Sequence, residues 1–288
     1  MFEYCADPKT LEGLQWWSCY LTTQKHFAFY KSFGIVFALL ALAAPVILGM
    51  GFLGALARMS KYAPLRWIGV IYTSMVRGVP DIIFFLFVPI AMDQGFEFVR
   101  HKIKCPDITD PVWHNNEFNV CTEAKLPLGS ADVWVHDTYG FLLALIAYSI
   151  VFGAFAANTI FGALNAVPKA QLETGAAFGM SPGMVFRRIQ LRQMWIYALP
   201  GLSNLWMIFV KAMPLLFLLG VEDVVYWARE LGTTKTAAFQ YPHGDWRMGY
   251  IAVLLVFYLA LTWASGLAFK ALNRRMTKGQ AGKRGLTA

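Results

Sequence analysis

From Phe33 to Ala57 no side chain carries a charge. Wound as a helix at 1.5 Å per residue, that run reaches roughly 37 Å, more than the roughly 30 Å of hydrocarbon in a bilayer. Gly140–Leu164 and Gly249–Phe269 are likewise uncharged, and Leu199–Gly220 is interrupted only by Lys211. Trp67–Met92 is also apolar but is broken by Arg-Gly-Val-Pro-Asp, Arg77 to Asp81. In lipid no water pairs with exposed amides, so such runs close their backbone hydrogen bonds internally, as helices. The reading is an all-α integral membrane protein with five transmembrane helices, at 33–57, 67–92, 140–164, 199–220 and 249–269. For the interrupted run a re-entrant or interfacial segment is the alternative. Composition agrees: 57% of the 288 residues are hydrophobic and only 15% charged, against about a quarter charged in soluble domains.

The net charge of +8 raises the question of partners. In a membrane chain basicity reports orientation before it reports nucleic acid, and no nucleic-acid partner is expected. With the N-terminus outside, the cytoplasmic segments 58–80, 165–198 and 270–288 hold four, four and six Lys or Arg residues against one acid, Glu173. The outside segments 1–32, 93–139 and 221–248 carry more acids than bases. The dense cluster Lys270–Arg284 just after the last span decides the direction, placing the basic tail 276–288 in the cytoplasm. The N-terminal residues lack a basic stretch followed by an apolar core, so the first span is expected to insert as an uncleaved anchor.

All four cysteines then lie outside. That distribution fits an oxidising compartment, with Cys5–Cys19 and Cys105–Cys121 as the simplest of three pairings. A metal site from His101, Cys105, His114 and Cys121 is the alternative, although the spacing lacks paired Cys-x-x-Cys knuckles.

The segment Lys169–Leu191 is too patterned for a link between spans. Gln171–Phe178 reads as a short helix, and Gly179 suits the residue that ends one. Ser181 suits an N-cap and Pro182 the first helical position of a second helix. Phe178, Met180, Met184 and Phe186 are its apolar knobs, while Arg187, Arg188 and Arg192 can reach lipid phosphates or an acidic partner. An interfacial helix lying on lipid and a helix docked in a groove of a soluble partner both fit this pattern.

The stretch Glu173 to Leu191, "ETGAAFGMSPGMVFRRIQL", resembles the EAA loop of ABC importer permeases. "RGVPDIIFFLFV" at Arg77–Val88 is similar to the Arg-Gly-Thr-Pro motif of polar amino-acid permeases, "ALPGLSN" at Ala198–Asn204 to the stretch after that loop, and Val221–Gln240 to an outside helix before the last span. The resemblance covers roughly 33–275. It implies the type I ABC importer permease fold of the histidine/glutamine-type family, whose nearest relatives move histidine, lysine, arginine or ornithine. It also implies a second permease subunit, expected to be a paralogue, an ATPase dimer that holds ATP-Mg, and an extracytoplasmic solute-binding protein, all at a bacterial inner membrane. The coupling motif then maps to Glu173, Thr174, Gly175 and Phe178–Pro182, with Met184 and Phe186 behind it. Lys211 matches a polar position of the fourth span.

Three departures stand out. Thr174-Gly175 replaces Ala-Ala, which predicts a looser first helix. Arg192 stands where a proline is common. Asn158 stands where the family often has an acid, which implies that the partner subunit supplies the charge or that the substrate is not a simple cation. Asn158, Lys211, Arg77 and Asp81 are the polar groups at membrane depth, and each is weighed as a path or gate residue or as an interhelical or local pair. Ser149, Gly153 and Ala157 form a small-residue face expected to pack.

The sequence holds no Gly-x-x-x-x-Gly-Lys-Ser/Thr loop, no His-Glu-x-x-His and no Gly-x-Ser-x-Gly, so no cofactor is expected in this chain and the chain does not read as an enzyme. The alternatives are a stand-alone secondary transporter or channel, disfavoured by the lack of an inverted repeat, and a membrane scaffold.

Overall fold

The computed structural model describes Cys5 and residues 11–108, 110–114 and 117–278, with the backbone alone at 76–78, 81 and 219. In order come α1 (Gly13–Leu21), α2 (Gln24–Met59), α3 (Ala63–Gly78), α4 (Asp81–Lys104), a hairpin of β1 (Trp113–His114) and β2 (Glu117–Phe118), α5 (Val133–Asn165), α6 (Lys169–Ala177), α7 (Pro182–Val185), α8 (Leu191–Ala212), α9 (Val224–Gly232) and α10 (Arg247–Thr277). A π turn, Phe186–Gln190, joins α7 to α8, and a 3₁₀ turn, Met213–Leu219, follows α8. Among the described residues five helices are long and apolar enough to cross a membrane: Gln24–Met59, Ile82–Lys104, Val133–Asn165, Pro182–Leu218 and Arg247–Thr277.

The second of these differs from the sequence expectation. The run 67–92 is two helices, because Pro80 has no amide to donate and forces its neighbour Val79 into an extended conformation, φ −128° and ψ 137°. α4 then continues past Met92 to Lys104, so the following loop begins well after residue 93. Pro45, Pro89 and Pro200, by contrast, lie inside continuous helices, as neighbouring membrane helices permit.

The chain divides into two compact units, each drawing on parts of α2, α5 and α10. In the unit made of 43–84, 148–211 and 259–288, close approach of backbones is the organising feature. A methyl group on Gly51 would lie 2.7 Å from Ala156 Cβ, and one on Gly54 2.8 Å from Ala157 Cβ. The small face of α5 foreseen at Gly153 and Ala157 therefore seats against α2, as membrane helices do where lipid offers no hydrophobic drive. Tyr72 Oη of α3 donates to Ile150 O of α5 at 2.7 Å, bringing α3 onto the same helix.

The other unit comprises 1–42, 85–147 and 212–258. Here α1 is tied down by aromatics: Trp17 stacks on Trp246 at 5.1 Å, Trp16 meets Tyr241 edge-on at 5.7 Å, and Tyr20 meets His243 at 5.5 Å. Cys5 and Cys19 are joined, with Cα atoms 5.6 Å apart, and Lys25 and Lys235 both pair with Glu230. Beneath lies a chain of hydrogen bonds whose direction is determined. Among the described residues His243 Nδ1 meets only the Gly244 carbonyl, so in this arrangement it carries the proton, and Nε2 accepts from Tyr20 Oη at 3.1 Å. Tyr20 Oη then accepts from Tyr250 Oη, which accepts from His26 Nε2 at 2.8 Å, and Thr23 Oγ1 donates to His26 Nδ1. In this order every donor is used once, joining residues more than 200 apart in sequence.

Asp223 caps α9, accepting from the Val225 and Tyr226 amides at 3.0 and 2.9 Å. Its second oxygen, Oδ2, is buried and has no hydrogen-bond partner among the described residues. Burial raises its pKa to about 6, against the two capping amides, which pull it down.

Two outcomes follow. Gly54→Leu inserts a branched chain where 2.8 Å is available and should cost roughly 1–3 kcal/mol or more, read as a lower melting temperature of the detergent-solubilised protein. For Asp223 the proton is held more tightly folded than unfolded, so ionisation costs stability as pH rises from about 4 to about 6. Asparagine caps equally well. Asp223→Asn should therefore raise the unfolding midpoint at pH 8, by up to about 3 kcal/mol in stability, and the gain should vanish toward pH 4.

Candidate functional site

The segment Lys169–Leu191 folds as two helices with a sharp corner. Gly179 sits at φ +79°, its N–H donates to Ala176 O at 2.9 Å, and the Met180 N–H reaches Gly175 O at 3.1 Å. That pair of bonds is the left-handed glycine stop that satisfies the last carbonyls of α6. Pro182 occupies the first turn of α7, and Ser181 has the extended cap conformation, φ −63° and ψ 154°. The Ser181 hydroxyl makes no capping bond; its carbonyl instead receives the Met184 and Val185 amides.

Gly175 reverses the expectation of a loosened helix. It is buried, and a methyl group there would meet Ile189 Cδ1 at 2.5 Å. At that point α6 folds back onto α7 and the π turn, and a side chain would press on Ile189 and Val185. Gln190 Nε2 adds a bond to Leu164 O at the end of α5, 3.2 Å. The π turn carries α7 into α8 without a break, a local widening often found at functional positions.

What the corner presents outward is specific. Phe178 is 82% exposed and Met184 39%. Glu173, Thr174, Gly179, Ser181 and Pro182 are exposed, while Met180 and Phe186 are half-buried. Thr174 Oγ1 returns to Ala170 O, and Glu173 forms no ion pair among the described residues. The corner thus presents an exposed phenylalanine flanked by polar and small residues.

The polar groups at membrane depth separate into two kinds. Asn158 is not presented outward. Its Oδ1 accepts from Arg58 Nη1 at 2.7 Å and its Nδ2 donates to Thr73 O at 3.0 Å and Ala154 O at 3.3 Å, while Arg58 also lies 4.0 Å over the Phe161 ring. The amide thus holds an arginine between α2, α3 and α5. Arg58 had figured in the sequence only as a charge beside a span; its partner was not legible without contacts. Lys211 behaves differently. It is exposed on the last turn of α8, where the α-helix gives way to the 3₁₀ turn, and a cation there faces the negative end of the helix dipole. Asn204, Ile208 and Lys211 share one exposed face of α8. Asn204 closes the Ala198–Asn204 stretch already singled out, and helical spacing to Lys211 was the available signal. The backbone breaks between α3 and α4 at Val79-Pro80, but the side chains of Arg77 and Asp81 lie outside the described residues. A cavity of about 240 Å³ lined by Trp195, Leu199, Leu202, Trp206 and Phe269 is apolar and offers nothing to a charged solute.

Cys105 is bonded to Cys121, with Cα atoms 6.8 Å apart. Of the metal grouping weighed from sequence, His101 joins the two cysteines in one cluster, and His114 lines the same cavity.

Several known proteins are similar. The arginine ABC transporter permease protein ArtQ of Escherichia coli (strain K12) is 29% identical over 245 residues, covering 85% of this chain and 93% of the relative. The histidine/lysine/arginine/ornithine permease HisQ of Salmonella typhimurium is 32% identical over 243 residues, 83% of this chain and 90% of the relative. The octopine permease OccQ of Rhizobium radiobacter is 27% identical over 230 residues, 80% and 81%. Among solved structures, a crystal structure of an amino acid ABC transporter with histidines superposes with a TM-score of 0.59 at 18% identity, over 86% of this chain and 94% of that one. The methionine transporter MetNI gives 0.53 at 13%, over 87% and 94%. These two likenesses speak to the fold. The family described as binding-protein-dependent transport system inner membrane component matches residues 47–278, and the chain belongs to it.

Proposed function

We propose that this chain is the permease subunit of an ATP-driven importer of amino acids, polar or basic ones such as arginine, histidine, lysine or ornithine. The relatives ArtQ, HisQ and OccQ are named for arginine, for histidine, lysine, arginine and ornithine, and for octopine, solutes that share an α-amino acid carboxylate and a basic group. The observation that carries the coupling role is the corner at Gly179, which holds Phe178 82% exposed on a rigid helix pair. An ATPase subunit with its ATP-Mg docks there, in the manner of a helix in a groove. The N-terminus faces outward and the C-terminus the cytoplasm, in keeping with the basic residues around 169–192 and 270–278. A solute-binding protein delivers from outside. A second permease subunit, a paralogue, completes the path, since five spans from one chain enclose little.

The exposed face of α8 bearing Asn204 and Lys211 lines that path. Lys211 suits the substrate carboxylate. The acid that a cationic side chain requires comes from the partner, because Asn158 is occupied by Arg58.

Purification under mild detergent conditions tests the reading. An ATPase should co-purify, with ATP hydrolysis stimulated by a soluble binding protein; a chain that elutes alone and transports without ATP would be a stand-alone carrier instead. Gly179→Asp strains a left-handed position by roughly 1 kcal/mol or more and adds charge at the contact, and Glu173→Lys reverses charge beside it. Each should cut uptake at least tenfold while membrane levels hold; loss of the protein from the membrane would mean a structural role. Lys211→Ala should weaken uptake roughly ten- to hundred-fold with the ATPase still bound, and unchanged uptake kinetics would remove it from the path.

A further inference from the structure

Between the elbow that joins α1 to α2 and the ribbon that follows α9 lies a cavity of about 360 Å³, whose lining includes Tyr20, Lys25, Leu231, Lys235, Phe239 and Tyr241. That is near the lower end of the roughly 300–1,000 Å³ of small-molecule sites. Its walls are held in place. Lys235 and His243 pair backbone to backbone, each amide 3.0 Å from the other's carbonyl, and the Trp246 amide closes the ribbon onto Gly232 O at 2.9 Å. Tyr20 is fixed by its bonds to His243 and Tyr250.

Two ammonium groups of the lining share one carboxylate. Lys25 Nζ and Lys235 Nζ lie 2.8 and 3.0 Å from the same Glu230 oxygen, Oε1, while Glu230 itself stands outside the lining. Each ammonium has three N–H donors and spends one there; neither makes a second hydrogen bond among the described residues. The Lys235 side chain is only 13% exposed, so water reaches its remaining donors poorly, and Nζ lies 5.1 Å over the Phe239 ring. Tyr241 is 6% exposed, and its hydroxyl makes no hydrogen bond among the described residues. The acid Asp245, two residues beyond His243, is taken by Arg247, and both ring nitrogens of His243 are engaged. The cavity is therefore walled by aromatic carbon, carries more positive than negative charge, and holds donors that lack an acceptor.

We propose that this cavity is a binding site for a small aromatic carboxylate. The carboxylate lies between Lys25 and Lys235 and accepts charge-assisted hydrogen bonds from their free donors, with the Tyr241 hydroxyl as a further donor. The ring packs offset or edge-on against Tyr20 and Phe239. The same charges turn other solutes away. An α-amino acid carries an ammonium one carbon from its carboxylate, and the two lysines repel it; a basic amino acid carries a second cation besides. The solutes proposed above for transport are thus the ones this cavity disfavours, and the site is separate from the translocation path.

The test uses the full chain in detergent, with phenylacetate as the probe. Equilibrium dialysis of the labelled acid should show saturable uptake of about one molecule per chain, weakened by added salt as the charge pairing is screened. Phenethylamine, with the same ring and the opposite charge, should not displace it, and L-phenylalanine should displace it poorly. Lys235→Gln should weaken binding roughly tenfold or more, Lys235→Arg should retain it, and Tyr241→Phe should weaken it several-fold. Glu230→Gln frees both ammonium groups and should tighten binding, whereas disruption of a merely structural ion pair would weaken it. The proposal is overturned if no saturable phenylacetate binding is found, if phenethylamine competes as well as the unlabelled acid, or if Lys235→Gln binds as tightly as the parent.

Discussion

In lipid, helices attract one another only as closely as their backbones can approach. The seam between α2 and α5 meets that constraint with Gly51 and Gly54 set against Ala156 and Ala157, where an added methyl would sit under 3 Å from its neighbour. Once the two helices are this close, Tyr72 can reach the Ile150 carbonyl and Asn158 can reach both Arg58 and the α3 backbone. These polar bonds are short because the glycines are there. A charged arginine at the end of a membrane helix is expensive unless paired or hydrogen-bonded, and this packing supplies the partner.

The outward-presented corner draws its rigidity from a different source. Gly179 turns the chain through a conformation that side chains resist, and Gly175 lets α6 lie against Ile189. Both glycines serve the same end, holding an exposed phenylalanine on a surface that does not yield. The π turn then passes directly into α8, whose far end carries Lys211. One continuous helical path therefore joins the corner to the exposed face of α8 that bears Asn204 and Lys211.

Residues before the family match carry their own architecture. The aromatic layer of Trp16, Trp17 and Tyr20 closes on Tyr241, His243 and Trp246, and the relay through His26 and Tyr250 fixes each ring in one tautomer. Burial forces such polar rings to find partners.

Read alone, the sequence determined the membrane character, the helical class and the position of the corner at Gly179. These follow from local quantities: uncharged length against bilayer thickness, and a glycine and a Ser-Pro at the spacing of a helix stop and restart. The Arg-Gly-Thr-Pro-like motif marked a break, but whether it interrupted one helix or separated two depended on where α4 found packing beyond Met92. Tertiary structure alone decided the roles of single residues. Asn158 and Lys211 look alike as polar groups in apolar runs, yet Asn158 faces Arg58 across 100 positions of sequence while Lys211 faces outward. Gly175 looked like a weakness until Ile189 was found against it. The physical reason is common to all three: a side chain's role is set by the neighbour across the interface, and that neighbour is remote in sequence.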